Sequence, residues 1–270
     1  MYSVSYDGSN RKVMWQEMLR HEFEEAVEQA PVVIVPVGSV EQHGPHCPMD
    51  VDISAPFHMA AEVARRVEEF PVIVAPPIWS GFTHYNMGFA GTISLGLETF
   101  QALVADVCRS IHANGFERIV TLNGHGGNAA PCRAVSWQLA EEDVFTLSFS
   151  WWDAVEAEMR EWSATDELVG HGGEWETAVQ LHLRAHMVDM SRAAADDSLT
   201  APFEELPFAV FAERRRDTAE GTGIMGDALA ASAEKGRRIY ELACERLEAL
   251  ARRYHELPVR HYRDFGSFCR

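Results

Sequence analysis

The chain has 270 residues and a formal net charge of −18 at pH 7, with 41 acidic residues against 23 lysines and arginines. This balance argues against a nucleic-acid partner, because binding to phosphates needs a basic face that releases counterions. An apolar fraction of 47% is enough for a sizeable core. No apolar run approaches the roughly 18–20 residues of a membrane helix, so a membrane partner is not expected either.

Helices and strands are predicted to alternate along the chain. In order, we expect a helix over 15–28, a strand over 32–37, a helix over 53–69, a strand over 71–76, a helix over 100–111, a strand over 118–123, a helix over 129–140, a strand over 144–149, and helices over 174–183 and 232–254. Such alternation predicts a single α/β domain over residues 1–270, with a mostly parallel sheet between helices. The weakly periodic stretch 196–217 is expected to be a surface excursion or an oligomer contact.

The five cysteines are scattered and form no Cys-x-x-Cys pair. An odd number at irregular spacing does not suit a disulfide framework and favours a reducing compartment. The N-terminal residues carry several charges and lack the apolar region of a signal peptide. We therefore expect a cytoplasmic location.

Polar side chains with metal-binding chemistry follow the first predicted strand. Carboxylates and imidazoles are the ligands of a catalytic divalent metal. Glycine and proline residues among them turn the chain tightly, so several of these side chains can converge. The cluster consists of Glu41, His43, His46, Asp50 and Asp52.

A second cluster, Asn123-Gly-His-Gly-Gly-Asn128, follows the third predicted strand. Glycines let the backbone approach a ligand closely and free N–H groups at the start of the next helix. In a functional site, His125 would bind a metal and the N–H of Gly126 or Gly127 would hold an oxyanion. The alternative is a tight strand-to-helix turn with a histidine at the surface.

The third cluster, His171-Gly-Gly-Glu174-Trp-Glu176, opens a predicted helix. Glu174 and Glu176 are two positions apart, so they point to different faces of the helix. One of them can bind a metal while the other holds a neighbouring group or moves a proton. The alternative is that both acids only stabilise the helix N-terminus through the helix dipole.

Together the clusters predict a site for two metals. The first two lie at the carboxyl ends of parallel strands, where α/β folds bind ligands. Two metals need about five or six protein ligands, and a carboxylate shared between them holds the ions close together. Five candidate ligands are available: Glu41, His43, Asp52, His125 and Glu174.

A loop at 78–95, rich in glycine and aromatic residues, offers candidates for substrate contact. They are His84 and its neighbour Tyr85. Trp152, after the fourth predicted strand, is a candidate for the wall of a pocket, although paired tryptophans are more often part of a core or an interface.

These motifs resemble those of the creatininase family of metal-dependent amidohydrolases, over most of the chain. The resemblance implies a three-layer α/β/α sandwich and two divalent ions, zinc with manganese or iron. It also implies a homo-oligomer, a hexamer in this family. The implied activity is hydrolysis of a small cyclic amide, or another C–N amide bond, by a hydroxide that bridges the metals. The matching stretches are Pro-Val-Gly-Ser-Val-Glu41-Gln-His43-Gly-Pro-His, Asp50-Val-Asp52, Gly88-Phe-Ala-Gly-Thr-Ile-Ser-Leu, Asn123-Gly-His125-Gly-Gly-Asn, His171-Gly-Gly-Glu174-Trp-Glu176-Thr and Gly223-Ile-Met-Gly-Asp227.

The resemblance further implies which residues bind metal. Creatininase has one ligand, a glutamate, at the position of Gly127, so Glu174 is expected to supply that ligand here. Asp52 is expected to bridge the ions. The implied sets are Glu41, Asp52 and His125 for one ion, and His43, Asp52 and Glu174 for the other.

The remaining implied roles concern the substrate. His171 corresponds to the proton-donating histidine of the family, with Glu176 as the acid behind it. Trp152 corresponds to an aromatic residue that covers the substrate.

Some positions depart from creatininase, notably Glu167, Gly170 and the pair Phe89-Ala90, and they argue against creatinine itself as the substrate. The family also includes formamide hydrolases, a peptidase that trims a peptide precursor, and hydrolases of cyclic keto-polyols. The alternative function is therefore a metal-dependent ring-opening hydrolase or lyase acting on a cyclic keto-polyol or lactone. A metal-stabilised scaffold is disfavoured, because closed structural sites prefer cysteine and histidine to this acid-rich set.

Overall fold

The computed structural model describes residues 12–164, 170–196 and 221–258. At its centre is a parallel four-stranded sheet in the order β2-β1-β3-β4. The strands are β1 (Val32–Val37), β2 (Val72–Val74), β3 (Arg118–Asn123) and β4 (Thr146–Ser150). The predicted α/β fold is confirmed, and each strand lies at or within two residues of its predicted bounds.

Helices cover both faces of this sheet. The described part of the chain contains α1 (Arg20–Val27), α2 (Val51–Arg66), α3 (Leu97–Ala113), α4 (Ala129–Glu141), α5 (Glu156–Trp162), α6 (Glu174–Arg184) and α7 (Ala233–Glu256). Two short strands, β5 (Ala195–Asp196) and β6 (Gly226–Asp227), form a separate antiparallel pair. None of the described helices is long and apolar enough to cross a membrane. Beyond Asp196, nearly all of the excursion expected at 196–217 lies outside the described residues.

Alternate residues of β1 face two separate cores. Val33 and Val35 pack with α1, α3 and α4 on one side of the sheet. Val32 and Ile34 pack with α2, α6 and α7 on the other side. Because β1 is buried on both faces, its sequence is almost continuously β-branched. Helices on both faces give the three layers that the family resemblance implied.

The helix expected over 15–28 is interrupted. A 3-10 turn at Trp15–Glu17 comes first, two extended residues follow, and α1 begins at Arg20. The Glu22 carboxylate accepts a hydrogen bond from the Leu19 N–H at 2.5 Å. This bond stabilises a helix start that the apolar periodicity alone does not indicate.

Two glycines bring the strand ends against α2. A Cβ at Gly38, just after β1, would lie 2.6 Å from the Asp52 carbonyl oxygen. A Cβ at Gly124, just after β3, would also meet that oxygen, and would lie 2.8 Å from the Pro56 ring. Since only glycine permits such close approach, both strand ends meet the first turn of α2. This contact places the first two polar clusters side by side.

Candidate metal centre

Three side chains from the β1 end and from α2 form the base of the site. Glu41 and His43 are fully buried, and Asp52 is 2% exposed. His43 Nε2 lies 2.9 Å from Asp52 Oδ1. The other ring nitrogen of His43, Nδ1, lies 3.1 Å from the Glu41 carbonyl oxygen. That backbone contact fixes the ring and leaves Nε2 facing the carboxylates.

His125, just after β3, reaches the same carboxylates. Its Nδ1 lies 3.3 Å from Glu41 Oε1 and 3.1 Å from Asp52 Oδ2. Asp52 therefore directs one oxygen towards His43 and the other towards His125. The expected convergence of the first two clusters is present, with Asp52 between the two imidazoles.

The third cluster contributes Glu176 from the first turn of α6. Its Oε2 lies 3.6 Å from His43 Nε2 and accepts a hydrogen bond of 2.6 Å from the Gly172 N–H. The sequence left open which of Glu174 and Glu176 binds a metal, and the family resemblance implied a role for Glu176 behind the proton donor. In the structure, its carboxylate instead lies among the potential ligands themselves.

The structure does not bring Glu174 to this cluster, so its expected place as a metal ligand needs correction. The Glu174 carboxylate forms an ion pair with Lys235 Nζ and accepts hydrogen bonds of 2.9 Å each from Ser163 Oγ and the Ala164 N–H. These contacts lie on the other face of α6, as the two-residue spacing requires. The acid beside His43 and Asp52 is Glu176.

His171 borders the cluster near Glu41. Its Nδ1 lies 3.4 Å from Glu41 Oε1, and its ring centroid is 4.4 Å from that of His43. The backbone of His171 exchanges two hydrogen bonds with Met225, of 2.9 and 2.7 Å. His171 thus faces Glu41, the carboxylate that His125 also faces.

Two residues of the first cluster lie apart from the convergence. His46 Nε2 is 2.8 Å from Thr177 Oγ1, and burial lowers the pKa of His46 to about 4. Asp50 forms a bidentate ion pair with Arg184, with both N–O distances at 2.8 Å. Both side chains join the loop after β1 to α6.

Electrostatics in the cluster are dominated by opposite charges at short range. Burial alone would lower the pKa of His43, but the carboxylates of Asp52 and Glu176 outweigh it and raise that pKa to about 10. Burial likewise opposes the charged form of His125, yet Glu41 holds the pKa of His125 well above its usual value. Burial raises the pKa of Glu176 to about 7. The buried carboxylates therefore attract positive charge into the site.

The donor set fits divalent metal ions. Three buried carboxylate oxygens, both of Glu41 and Oδ2 of Asp52, have no hydrogen-bond partner among the described residues. Imidazole nitrogens lie 3.1–3.4 Å from two of these oxygens, but no hydrogen bond within the described part of the chain satisfies them. Buried carboxylate charge is costly when it is incompletely satisfied, and a cation would satisfy it. Mixed carboxylate and imidazole donors suit zinc, manganese or iron. The groups whose ligand atoms lie within 4.8 Å of one another are Glu41, Asp52 and His125; His43, Asp52 and Glu176; and Glu41, His43 and His171.

The third of these groups is not an independent position. It shares Glu41 with the first group and His43 with the second. An ion there would compete with ions in both other groups for the same ligands. The three groups therefore overlap, and Asp52 is common to the first two.

The expected substrate contacts differ in their surroundings. His84 is exposed and meets Phe82 edge to face at 5.2 Å. Trp152 is half-buried and lies edge to face with Trp151 at 5.7 Å. Tyr85 is buried instead, and its hydroxyl lies 3.0 Å from His125 Nε2. Tyr85 thus touches a potential metal ligand, a contact that the sequence did not reveal.

The two glycines expected to hold an oxyanion are unlike each other. A Cβ at Gly126 would meet no heavy atom within 4 Å, whereas a Cβ at Gly127 would lie 2.7 Å from both His125 Nε2 and Tyr85 Oη. Position 127 of this chain therefore has no room for a glutamate, the residue that the family resemblance gives creatininase at this position. Glu176 brings a carboxylate from α6 instead.

Known proteins resemble this chain over most of its length. A family model described as "Creatininase: Creatinine amidohydrolase" matches residues 16–251. The mycofactocin precursor peptide peptidase of Mycobacterium ulcerans is 35% identical over 220 residues, covering 78% of this chain and 80% of the relative. The creatinine amidohydrolase of Pseudomonas putida is 30% identical over 255 residues, covering 87% of this chain and 95% of the relative.

The fold is also similar to solved structures. A mutant creatininase described as of the Zn-Zn type superposes with a TM-score of 0.77 at 28% identity. The match covers 92% of this chain and 100% of that one. The similarity therefore extends over most of the fold.

Proposed function

Since this chain belongs to the creatininase family and is a metal-dependent hydrolase, we propose that it cleaves the C–N bond of a small amide with the help of two divalent ions. The observation that carries the proposal is the position of Asp52. Its Oδ1 faces His43 at 2.9 Å and its Oδ2 faces His125 at 3.1 Å. A carboxylate that directs one oxygen to each side can bridge two neighbouring ions.

The proposed ligands follow from the two groups that share Asp52. Glu176 replaces Glu174 in the second group, because the Glu176 carboxylate lies beside His43 whereas that of Glu174 pairs with Lys235. When bound, such ions polarise a carbonyl oxygen and lower the pKa of water to roughly 7. The Zn-Zn type of the solved relative supports zinc, and zinc with manganese or iron remains the pair implied by resemblance. The proposed sets are Glu41, Asp52 and His125, and His43, Asp52 and Glu176.

His171 is proposed to move the proton. At 7% exposed it is, with Glu176, the most exposed residue of the cluster, so it borders the side that a substrate can reach. As the oxygen of the attacking water bonds to the carbonyl carbon, a water proton passes to His171 Nδ1. When the C–N bond breaks, Nδ1 gives that proton to the leaving nitrogen. Amide and water thereby become a carboxylic acid and an amine.

The two kinds of relative support an amide as the substrate. One is named for a peptide and the other for creatinine, and both molecules contain a C–N bond to a carbonyl or carbonyl-like carbon. The open space beside Gly126 would admit such a group next to His125. The proposed roles of His84 and Trp152 in substrate contact, and of the Gly126 and Gly127 N–H groups in holding an oxyanion, remain predictions.

The test is a substrate screen with protein loaded with zinc or manganese. Cyclic amides, formamides, short peptides, cyclic keto-polyols and lactones are compared in ¹⁸O-labelled water, and amine release and label in the product are measured. Amine release with one labelled oxygen is expected. Label without amine would indicate opening of a cyclic keto-polyol or lactone, and no turnover by protein holding two ions would contradict the proposal.

Two histidine variants, one in the site and one outside it, make this test specific. His171→Ala should keep both ions and lose turnover by about 100-fold or more, since positioned proton transfer contributes roughly 10²–10⁴-fold. The matched control is His182→Ala on α6, whose ring packs against Tyr240 rather than the cluster. That variant should turn over the same substrate at the wild-type rate.

We also propose a cytoplasmic homo-oligomer of one metallohydrolase domain over residues 1–270. The four described cysteines, Cys47, Cys108, Cys132 and Cys244, are free thiols, which supports a reducing setting. Trp137 and Trp79, 78% and 51% exposed, supply apolar surface for subunit contact. Sedimentation velocity at several concentrations tests the oligomer, and a monomer throughout would contradict it.

A further inference from the structure

One buried side chain beside the cluster has no part in the proposed reaction. Gln42 stands between Glu41 and His43 in sequence and is 5% exposed. Its Oε1 accepts a hydrogen bond of 2.8 Å from the Gly44 N–H. Its Nε2 donates to the Gly223 carbonyl oxygen at 2.8 Å and to Asn86 Oδ1 at 3.3 Å. These partners fix which end of the amide is oxygen.

His171 Nε2 has two close neighbours on Gln42. It lies 2.6 Å from the main-chain carbonyl oxygen of Gln42 and 2.9 Å from its side-chain amide nitrogen. The amide nitrogen has two hydrogens and three possible acceptors, so the shorter contact, with the main-chain carbonyl, decides where the ring hydrogen lies. A carbonyl oxygen facing a ring lone pair at 2.6 Å would be repulsive. The hydrogen therefore lies on Nε2 and points to the carbonyl.

The segment that binds the Gln42 side chain also holds the backbone of His171. Residues 223–225 lie alongside it, because Met225 exchanges two backbone hydrogen bonds with His171. The Gly223 carbonyl in this stretch accepts from the Gln42 amide. The side chain of Gln42 therefore joins the loop after β1 to residues 223–225, which hold the His171 backbone. The main-chain carbonyl of Gln42 contacts the His171 ring.

We propose that Gln42 is a positioning residue that keeps a hydrogen of the His171 ring on Nε2, so that Nδ1 is the ring nitrogen facing the Glu41 side of the metal centre. A ring with the opposite tautomer would present a hydrogen to this centre and could not accept a proton there. The catalytic consequence rests on the proposed function of His171. The tautomer itself does not, so it can be tested without a substrate.

The direct test is ¹⁵N NMR of the zinc-loaded protein labelled at histidine nitrogens, with His171 assigned by comparison with His171→Ala. The expected spectrum has a protonated Nε2 and an unprotonated Nδ1 for His171. A hydrogen on Nδ1 would overturn the proposal. This experiment needs no substrate. Its outcome therefore tests the proposal about Gln42 even if the proposed amidohydrolase activity is not found.

Two variants displace the amide by independent routes. Gln42→Met keeps the length and removes the side-chain hydrogen bonds that fix the main-chain carbonyl of residue 42 against His171. Gly223→Ala introduces a Cβ that would clash with Gln42 Oε1. Both should keep two ions and lower kcat by about 100-fold with little change in KM, the cost of a misplaced catalytic group. In both, the NMR signals of His171 should shift or broaden.

The control for backbone strain is Gly115→Ala. Gly115 has φ +91° and Gly223 has φ +76°, so both strain an alanine, but Gly115 lies after α3 against Val27. This variant should keep the wild-type kcat and His171 signals. If Gln42→Met and Gly223→Ala also keep them, or if both lose metal, Gln42 does not position His171 and the proposal is overturned.

Discussion

Glu176 Oε2 lies 3.6 Å from His43 Nε2, whereas Glu174, two positions earlier on the same helix, pairs with Lys235. The rotation of α6 thus decides which of two neighbouring acids meets the metal centre. Trp175 between them is 1% exposed and packs into the core. With that ring buried, the two carboxylates are directed to different surroundings.

The first prediction separates these two acids. Glu176→Gln should bind one of its two ions at least about 100-fold more weakly, more than the roughly 10–100-fold expected for loss of an outer partner. Glu174→Gln should keep both ions and lose stability, because Lys235 loses its buried partner. Metal content after dialysis, with unfolding by urea, gives both results. Full metal content in Glu176→Gln together with loss in Glu174→Gln would reverse the assignment.

Asp52 should be the most sensitive ligand. Its two oxygens face different histidines, so Asp52→Asn should weaken both ions, whereas Glu176→Gln should weaken one. Competition with a chromophoric chelator measures the number and affinity of ions bound. Two ions held by Asp52→Asn with unchanged affinity would show that Asp52 is not shared.

Neighbouring glycines provide a matched pair of variants. Gly127→Ala should displace His125, because its Cβ would lie 2.7 Å from His125 Nε2, and should lower metal affinity. Gly126→Ala adds the same methyl group into open space and should keep full metal content. Zinc titration compares the two. Equal affinity in both variants would mean that the space around His125 does not control the site.

Metal binding should release protons. In metal-free protein the pKa of His43 is raised to about 10, so at pH 7 this ring carries a proton that a metal must displace. Because the proton and the ion compete, affinity should rise with pH between 6 and 9. Calorimetry of zinc binding in buffers of different ionisation enthalpy counts the protons. Zero release at pH 7 would contradict the charge state derived for this cluster.

Much of the fold was predictable because strands and helices have local signals. The β-branched run of β1 and the amphipathic stripe of α7 follow from periodicity and burial, and parallel topology brings the ends of β1 and β3 together. The convergence of Glu41, His43, Asp52 and His125 could therefore be predicted. The interruption before α1 could not, because it depends on a side-chain hydrogen bond rather than on the apolar pattern.

The rest of the site depends on contacts between distant parts of the chain. Spacing indicates that Glu174 and Glu176 face apart, but only the packing of α6 on Lys235 of α7 shows which one faces His43. The contact of Gln42 with His171 joins residues 129 positions apart. The family resemblance placed a ligand at Glu174 because it compares positions, whereas the rotation of a helix is a property of the packed core.

The central claim is that two ions share Asp52. Anomalous diffraction at the zinc edge, from crystals of the zinc-loaded protein, tests it most directly. We expect two peaks, one within bonding distance of Glu41, Asp52 and His125, the other within bonding distance of His43, Asp52 and Glu176. A single peak, or a peak beside Glu174 with none beside Asp52, would contradict the account.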